Sequence, residues 1–164
     1  MNNQSAPFYI LKNEIIVPRG QILIDLFDGR TGELKERQFY KNLVTTVGKE
    51  AMAAALSGIT SNNKGIITYC AVGTGITAPA LGNTTLQTEL FRKLISVRSV
   101  TNNTATFQTL FTTGEANGTL REAGLSGDDA TGVSGSGTLF CRSAINRAKT
   151  ASDTLSFSWS VIIG

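Results

Sequence analysis

Residues 154–163 read T-L-S-F-S-W-S-V-I-I. Successive side chains of a strand point to opposite faces, so Leu155, Phe157, Trp159, Val161 and Ile163 share one side. Thr154, Ser156, Ser158 and Ser160 share the other. Large apolar groups in strict alternation, the only Trp among them, specify a half-buried strand with a fixed register. A slip of one residue would put serines in the core and Trp159 in water. The rest of the chain must therefore supply a sheet beside this strand and a layer over its apolar face.

Other stretches supply such elements. Ile22, Ile24 and Leu26 alternate before the turn-forming Asp28-Gly29-Arg30-Thr31-Gly32, and residues 33–40 return as a more polar strand, a β-hairpin pattern. Lys35, Glu36 and Arg37 suit a sheet edge, where charge discourages unwanted pairing. Val44, Val47, Gly48, Ala51, Met52, Ala55 and Leu56 recur at helical spacing, and Gly58 stands where a left-handed cap ends a helix. Residues 66–72 form a buried strand, and the capping box Thr84-x-x-Gln87 predicts a short helix over 84–92. Strands follow at 94–100, 105–111, 120–125 and 139–145, with Phe107, Thr109 and Phe111 on one face. The glycine-rich stretch 126–138 reads as a mobile surface loop. The expected fold is mainly β: an antiparallel β-sandwich with one amphipathic helix at about 44–57 and a short second helix at about 84–92. The closing strand is expected to pair near residues 139–145. An extended N-terminal arm, 1–13, precedes a single β-rich assembly domain, 14–164.

Chemistry is harder to place. The chain has no histidine, which removes the commonest general base and the commonest neutral metal ligand. Glu115 and Glu122 flank a turn and are the carboxylates a hydrolase could use. Local charge pairing or turn hydrogen bonds explain such residues better, since Glu122 follows Arg121 in a short strand. Asp128-Asp129 lacks the ligand spacing of a calcium loop. Gly73-x-Gly75-x-x-Ala78 matches a dinucleotide fingerprint, but Pro79 and Gly82 interrupt the helix such a site requires. Cys70 and Cys141 sit in strand-like runs and read as reduced, buried small hydrophobes. No catalytic residue, cofactor or metal site is expected. The net charge of +3 comes from scattered basic residues, the longest run being Arg92-Lys93, which argues against nucleic acid. No run approaches the ~20 apolar residues of a membrane helix, and no secretory signal is visible, so synthesis in the cytoplasm is expected.

What remains is surface. Charged residues make up 16% of the chain, below the typical ~25%, with Thr, Ser, Asn and Gly in their place. Such surfaces suit contact with other protein. The candidate interface residues are Phe8, Tyr9, Ile10 and Leu11 in the arm, and Ser156, Ser158 and Ser160 on the polar face of the closing strand.

The succession of landmarks carries a resemblance. Asn42-Leu-Val-Thr-Thr leads into the alanine-rich helix, followed by Tyr69-Cys-Ala-Val-Gly-Thr-Gly-Ile-Thr-Ala-Pro79 and then by Leu86 to Arg92 as a short helix. Phe107 and Phe111 come next, then Glu115-Ala-Asn-Gly-Thr-Leu-Arg-Glu-Ala-Gly-Leu125. Leu139-Phe-Cys-Arg and Asn146-Arg-Ala-Lys-Thr-Ala-Ser-Asp-Thr-Leu155 complete the series. Over residues 20–164 this resembles small virion structural proteins of tailed bacteriophages, of the tail, appendage, fibre-base or decoration type. The resemblance implies a non-enzymatic virion subunit that forms a homo-oligomer and contacts other virion proteins. Capsid decoration and a host-surface or carbohydrate-binding module are the alternatives.

Overall fold

The computed structural model describes residues 18–58 and 65–164. In chain order they form β1 (Arg19–Asp28), β2 (Leu34–Val44), α1 (Thr46–Leu56), β3 (Ile67–Gly73), β4 (Glu89–Leu94), β5 (Val97–Thr101), β6 (Thr104–Phe111), β7 (Gly118–Gly127), β8 (Thr138–Lys149) and β9 (Asp153–Ile162). The strands make one antiparallel sheet in the order β4-β3-β7-β8-β2-β1-β9-β6-β5. β4 and β5 are its opposite margins, yet only Ile95 and Ser96 separate them. Three peptide steps span at most ~11 Å, so the sheet must curl until its margins lie side by side. Ile95 N–H bonds to Thr68 O on β3 (2.9 Å), and Ser96 N–H bonds to Gln108 O on β6 (2.8 Å). Phe91 on β4 meets Phe111 on β6 edge-on at 6.0 Å. No ladder joins β4 to β5, so the expected two-sheet sandwich is instead one sheet curled into a half-barrel.

β9 runs between β1 and β6, with Trp159 opposite Ile22 on one side and Phe107 on the other. Leu155, Phe157, Trp159 and Val161 are buried, as their alternation requires. Each contributes about 1.5–3 kcal/mol relative to remaining in water, which fixes the register. Ile163 departs from the pattern: it lies beyond the strand end and is 44% exposed. The expected pairing with residues 139–145 also fails. β8 lies between β7 and β2 on the opposite wall, and the chain crosses the barrel at residues 150–152 instead of turning back as a hairpin. Asp153 holds that crossing by accepting from Thr150 N (2.9 Å) and Thr150 Oγ1 (2.6 Å).

α1 begins one residue after Thr45, whose Oγ1 accepts from Gly48 N (3.0 Å) and donates to Leu139 O on β8 (2.6 Å). A Cβ at Gly48 would sit 2.2 Å from Phe140 O, so glycine is what lets the helix approach the strand. Gly58 has φ +72 and ends the helix as expected. The buried face is narrower than its periodicity implied. Gly48 and Ala51 are buried, Val44 belongs to β2, and Leu56 is 89% exposed.

The helix expected at 84–92 is absent: residues 84–88 are irregular and 89–94 form β4. Gln87 does not close a capping box. Its Oε1 accepts from Thr77 N and Thr77 Oγ1 (both 2.9 Å), and its N–H bonds to Glu122. β2 lies inside the strand order, but its charged part, with Lys35, Glu36 and Arg37, pairs with β1 alone and is locally the free edge expected of it. It pairs with β8 only at Leu43 and Val44 and splays away below, where Arg147 reaches Glu36.

Candidate functional site

A carboxylate that sequence reading offered for catalysis is buried and accepts four hydrogen bonds. Glu122 on β7 is 1% exposed. It accepts from Gly75 N (3.1 Å), Gln87 N (2.9 Å), Thr88 N (2.7 Å) and Arg142 Nε (2.9 Å). Arg142, on the neighbouring strand β8, also donates to Asn83 Oδ1 (2.9 Å) and Thr77 O (3.0 Å). This pair clamps residues 74–88 over the outer wall of the half-barrel, with Ala71, Leu86 and Leu139 packed beneath. The clamp accounts for Gly73-x-Gly75. A Cβ at Gly73 would lie 2.3 Å from Thr88 O, and one at Gly75 would lie 2.4 Å from Glu122 Oε1. The glycines do cradle an anion, but it is the protein's own side chain.

Glu115 is engaged elsewhere, accepting from Lys93 Nζ (2.6 Å) and Thr112 N (2.8 Å) across the seam between β4 and β6. Burial raises its proton affinity, and these bonds outweigh it to hold the carboxyl below its ordinary range. Glu115 and Glu122 are thus each committed to a separate structural junction.

A second clamp gathers the stretch expected to be mobile. Arg92 and Glu89 form a two-point pair (2.5 and 2.8 Å), and Arg92 Nη1 donates to Thr131 O, Ser136 O and Ser136 Oγ. The guanidinium lies 5.7 Å from the Tyr69 ring centroid. Asp128, at φ +61, accepts from Gly65 N (2.6 Å). Among the described residues, no group of three His, Cys, Asp or Glu is placed to hold a metal ion. No helix among them is long and apolar enough to cross a membrane.

Inside, Cys70 and Cys141 are free and fully buried. Burial pushes both thiols up to about 12. Trp159 and Thr109 face Cys70, and Asn42 faces Cys141, so sulfur is the polar neighbour of side chains that otherwise lack a partner. Lys149 is also buried; its Nζ donates to Asn117 Oδ1 (2.8 Å), with Thr150 O and Thr113 O beyond. Desolvation lowers its proton affinity, and Asp153 and Glu115 pull it back.

Sequence reading missed these buried cations. The signal was phase: Arg147 and Lys149 continue the inward alternation of Cys141, Ser143 and Ile145.

The wall formed by β2, β1, β9, β6 and β5 carries the surface candidates. Ser156, Ser158 and Ser160 are half-buried on its outer face. Ser158 lies between Leu23 and Gln108, and that row ends in Phe39 (66% exposed) and Val97 (49% exposed). Asp25 and Arg37 form a two-point pair on the same face. Every residue of the marginal strand β5 is exposed. Phe8, Tyr9, Ile10 and Leu11 lie outside the described residues. Comparison with known protein families, curated proteins and solved structures finds no match to this chain.

Proposed function

We propose that this protein is a non-enzymatic structural subunit of a bacteriophage particle. It acts as a homo-oligomer in the tail, neck or an appendage and links other virion proteins through its sheet edges and N-terminal arm. Capsid decoration uses the same contacts at a different position in the particle. The observation that carries the reading is the division of the molecule into two unlike walls. Charged side chains that could do chemistry are committed inside clamps on the β3-β7-β8 wall. Among the described residues the opposite wall pairs Asp25 with Arg37, leaves Lys41 without a carboxylate partner, and offers a serine stripe flanked by exposed Phe39 and Val97. Polar but uncharged groups lose little on desolvation when a neighbour returns their hydrogen bonds, and apolar flanks gain from burial. A weak patch of this kind becomes effective by repetition around a ring. The order of sequence landmarks resembling tail and decoration proteins supports the same assignment.

The test is association and location. Light scattering and native mass spectrometry of the purified protein should detect a closed cyclic oligomer, and mass spectrometry of purified particles should detect the chain. A protein that stays monomeric at high concentration and is missing from particles refutes the proposal. Ser158→Arg should reduce association without lowering thermal stability, because its side chain is on the outer face.

A further inference from the structure

A concavity lies where β1 begins. Two clefts, of about 550 Å³ and 490 Å³, share Pro18 and Lys49 and so form one trough. The rim of the first carries Arg19, Lys41 and Lys49. Among the described residues none of these cations has a carboxylate partner, and no acidic side chain lines either cleft. The floor of the second is apolar, with Met52, Ala55, Leu56 and Ile163. Its Leu56 is 89% exposed, the highest among the exposed large hydrophobics.

The trough starts at Pro18, where residues 1–17 join the body. Those residues have a matching chemical order. Phe8-Tyr-Ile-Leu11 is followed three residues later by Glu14, the only acid before Asp25. Glu14 is four residues from Pro18 and can lie up to ~14 Å away; Leu11, seven residues away, can reach ~24 Å. α1 has 11 residues and is about 16 Å long, so its whole apolar side is within reach.

We propose that this trough is the seat of the chain's own N-terminal segment. Glu14 meets the cationic rim, and the side chains of Phe8, Tyr9, Ile10 and Leu11 cover Met52, Ala55 and Leu56. In an isolated subunit the tether holds the segment at millimolar effective concentration, so its own trough competes best. Where subunits are packed together, a neighbour's trough offers the same contacts, the exchange that makes domain swapping a low-cost route to oligomers. That second step rests on the assembly reading; the seat itself does not.

Hydrogen exchange followed by mass spectrometry tests the seat on the full chain, at a dilution where light scattering reports monomer. The variants are Ile10→Ser with Leu11→Ser, Glu14→Lys, and the charge exchange Glu14→Lys with Lys49→Glu. Tryptophan fluorescence of the buried Trp159 checks that each keeps its fold. The first two variants should speed exchange in residues 47–56 on the order of tenfold, and the charge exchange should restore part of the protection. Unchanged exchange in every variant overturns the proposal. Unchanged exchange in the monomer, with self-association lost at high concentration, moves the segment to a neighbouring copy and overturns the seat while leaving the assembly reading in place.

Discussion

Removing the Glu122 carboxylate should be more damaging than removing its charged partner. In Glu122→Ala, Arg142 remains 1% exposed with only neutral acceptors, Asn83 Oδ1 and Thr77 O, and three backbone donors of residues 74–88 lose their acceptor. Breaking a buried pair from one side costs about 3–5 kcal/mol. Each orphaned backbone donor adds up to about 1–3 kcal/mol, reduced as the loop lifts and rehydrates. We expect about 4–5 kcal/mol, a large part of the ~5–15 kcal/mol that holds a domain of this kind together. In Arg142→Met the carboxylate keeps its three backbone donors, so a smaller loss of about 2–3 kcal/mol is expected. Urea unfolding with linear extrapolation measures both, and the double variant gives a coupling of about 1–3 kcal/mol. Hydrogen exchange should also show residues 74–88 opening in Glu122→Ala before the strands do. A Glu122→Ala cost below 1 kcal/mol, or single costs that simply add, refutes the clamp.

Three further outcomes follow from burial and charge. Trp159→Ala should cost about 3–5 kcal/mol through the cavity it leaves; a near-neutral result in thermal or urea unfolding means that β9 is not packed as described. Asp153 is held down to about 2 from its ordinary 3.8, first by the hydrogen bond from Lys35 and then by Thr150. A depressed carboxyl stabilises the fold above its ordinary range and loses that contribution as pH falls through about 4 to 2. The loss is roughly 1–2 kcal/mol, discounted because Lys35 is half exposed. Asp153→Asn should flatten that part of the stability–pH curve, and an unchanged slope counts against the pair. Cys70 and Cys141 should not react with a thiol reagent in the native state at pH 8 and should both react in urea, since burial keeps them as thiols; fast native labelling means the half-barrel opens far more readily than its packing suggests.

Local alternation was legible and long-range closure was not. The inward set Leu155, Phe157, Trp159 and Val161 could be read because period two fixes the face of each side chain, whatever the neighbouring strand. The same rule held for Phe107, Thr109 and Phe111. Which strand lies beside β9 depends instead on how the sheet curls, and that is set at Ile95 and Ser96, where two residues with no distinguishing composition bond to β3 and β6, the strands next to the opposite margins. One local motif misled for a related reason. Thr84-x-x-Gln87 has the side chains of a capping box, but Glu122, 35 residues beyond Gln87, takes the Gln87 N–H that a helix would have left for its cap. A distant carboxylate thus overrode a local propensity. Gly73-x-Gly75 was set aside as a dinucleotide fingerprint lacking its helix, and its contact with the Glu122 carboxylate went unread, because spacing alone cannot say whether an anion arrives as a ligand or from a neighbouring strand. Buried ionic clamps of this kind specify one loop arrangement more than they add stability. Here they hold residues 74–88 and 128–137 against one wall, the one opposite the serine-bearing strand β9.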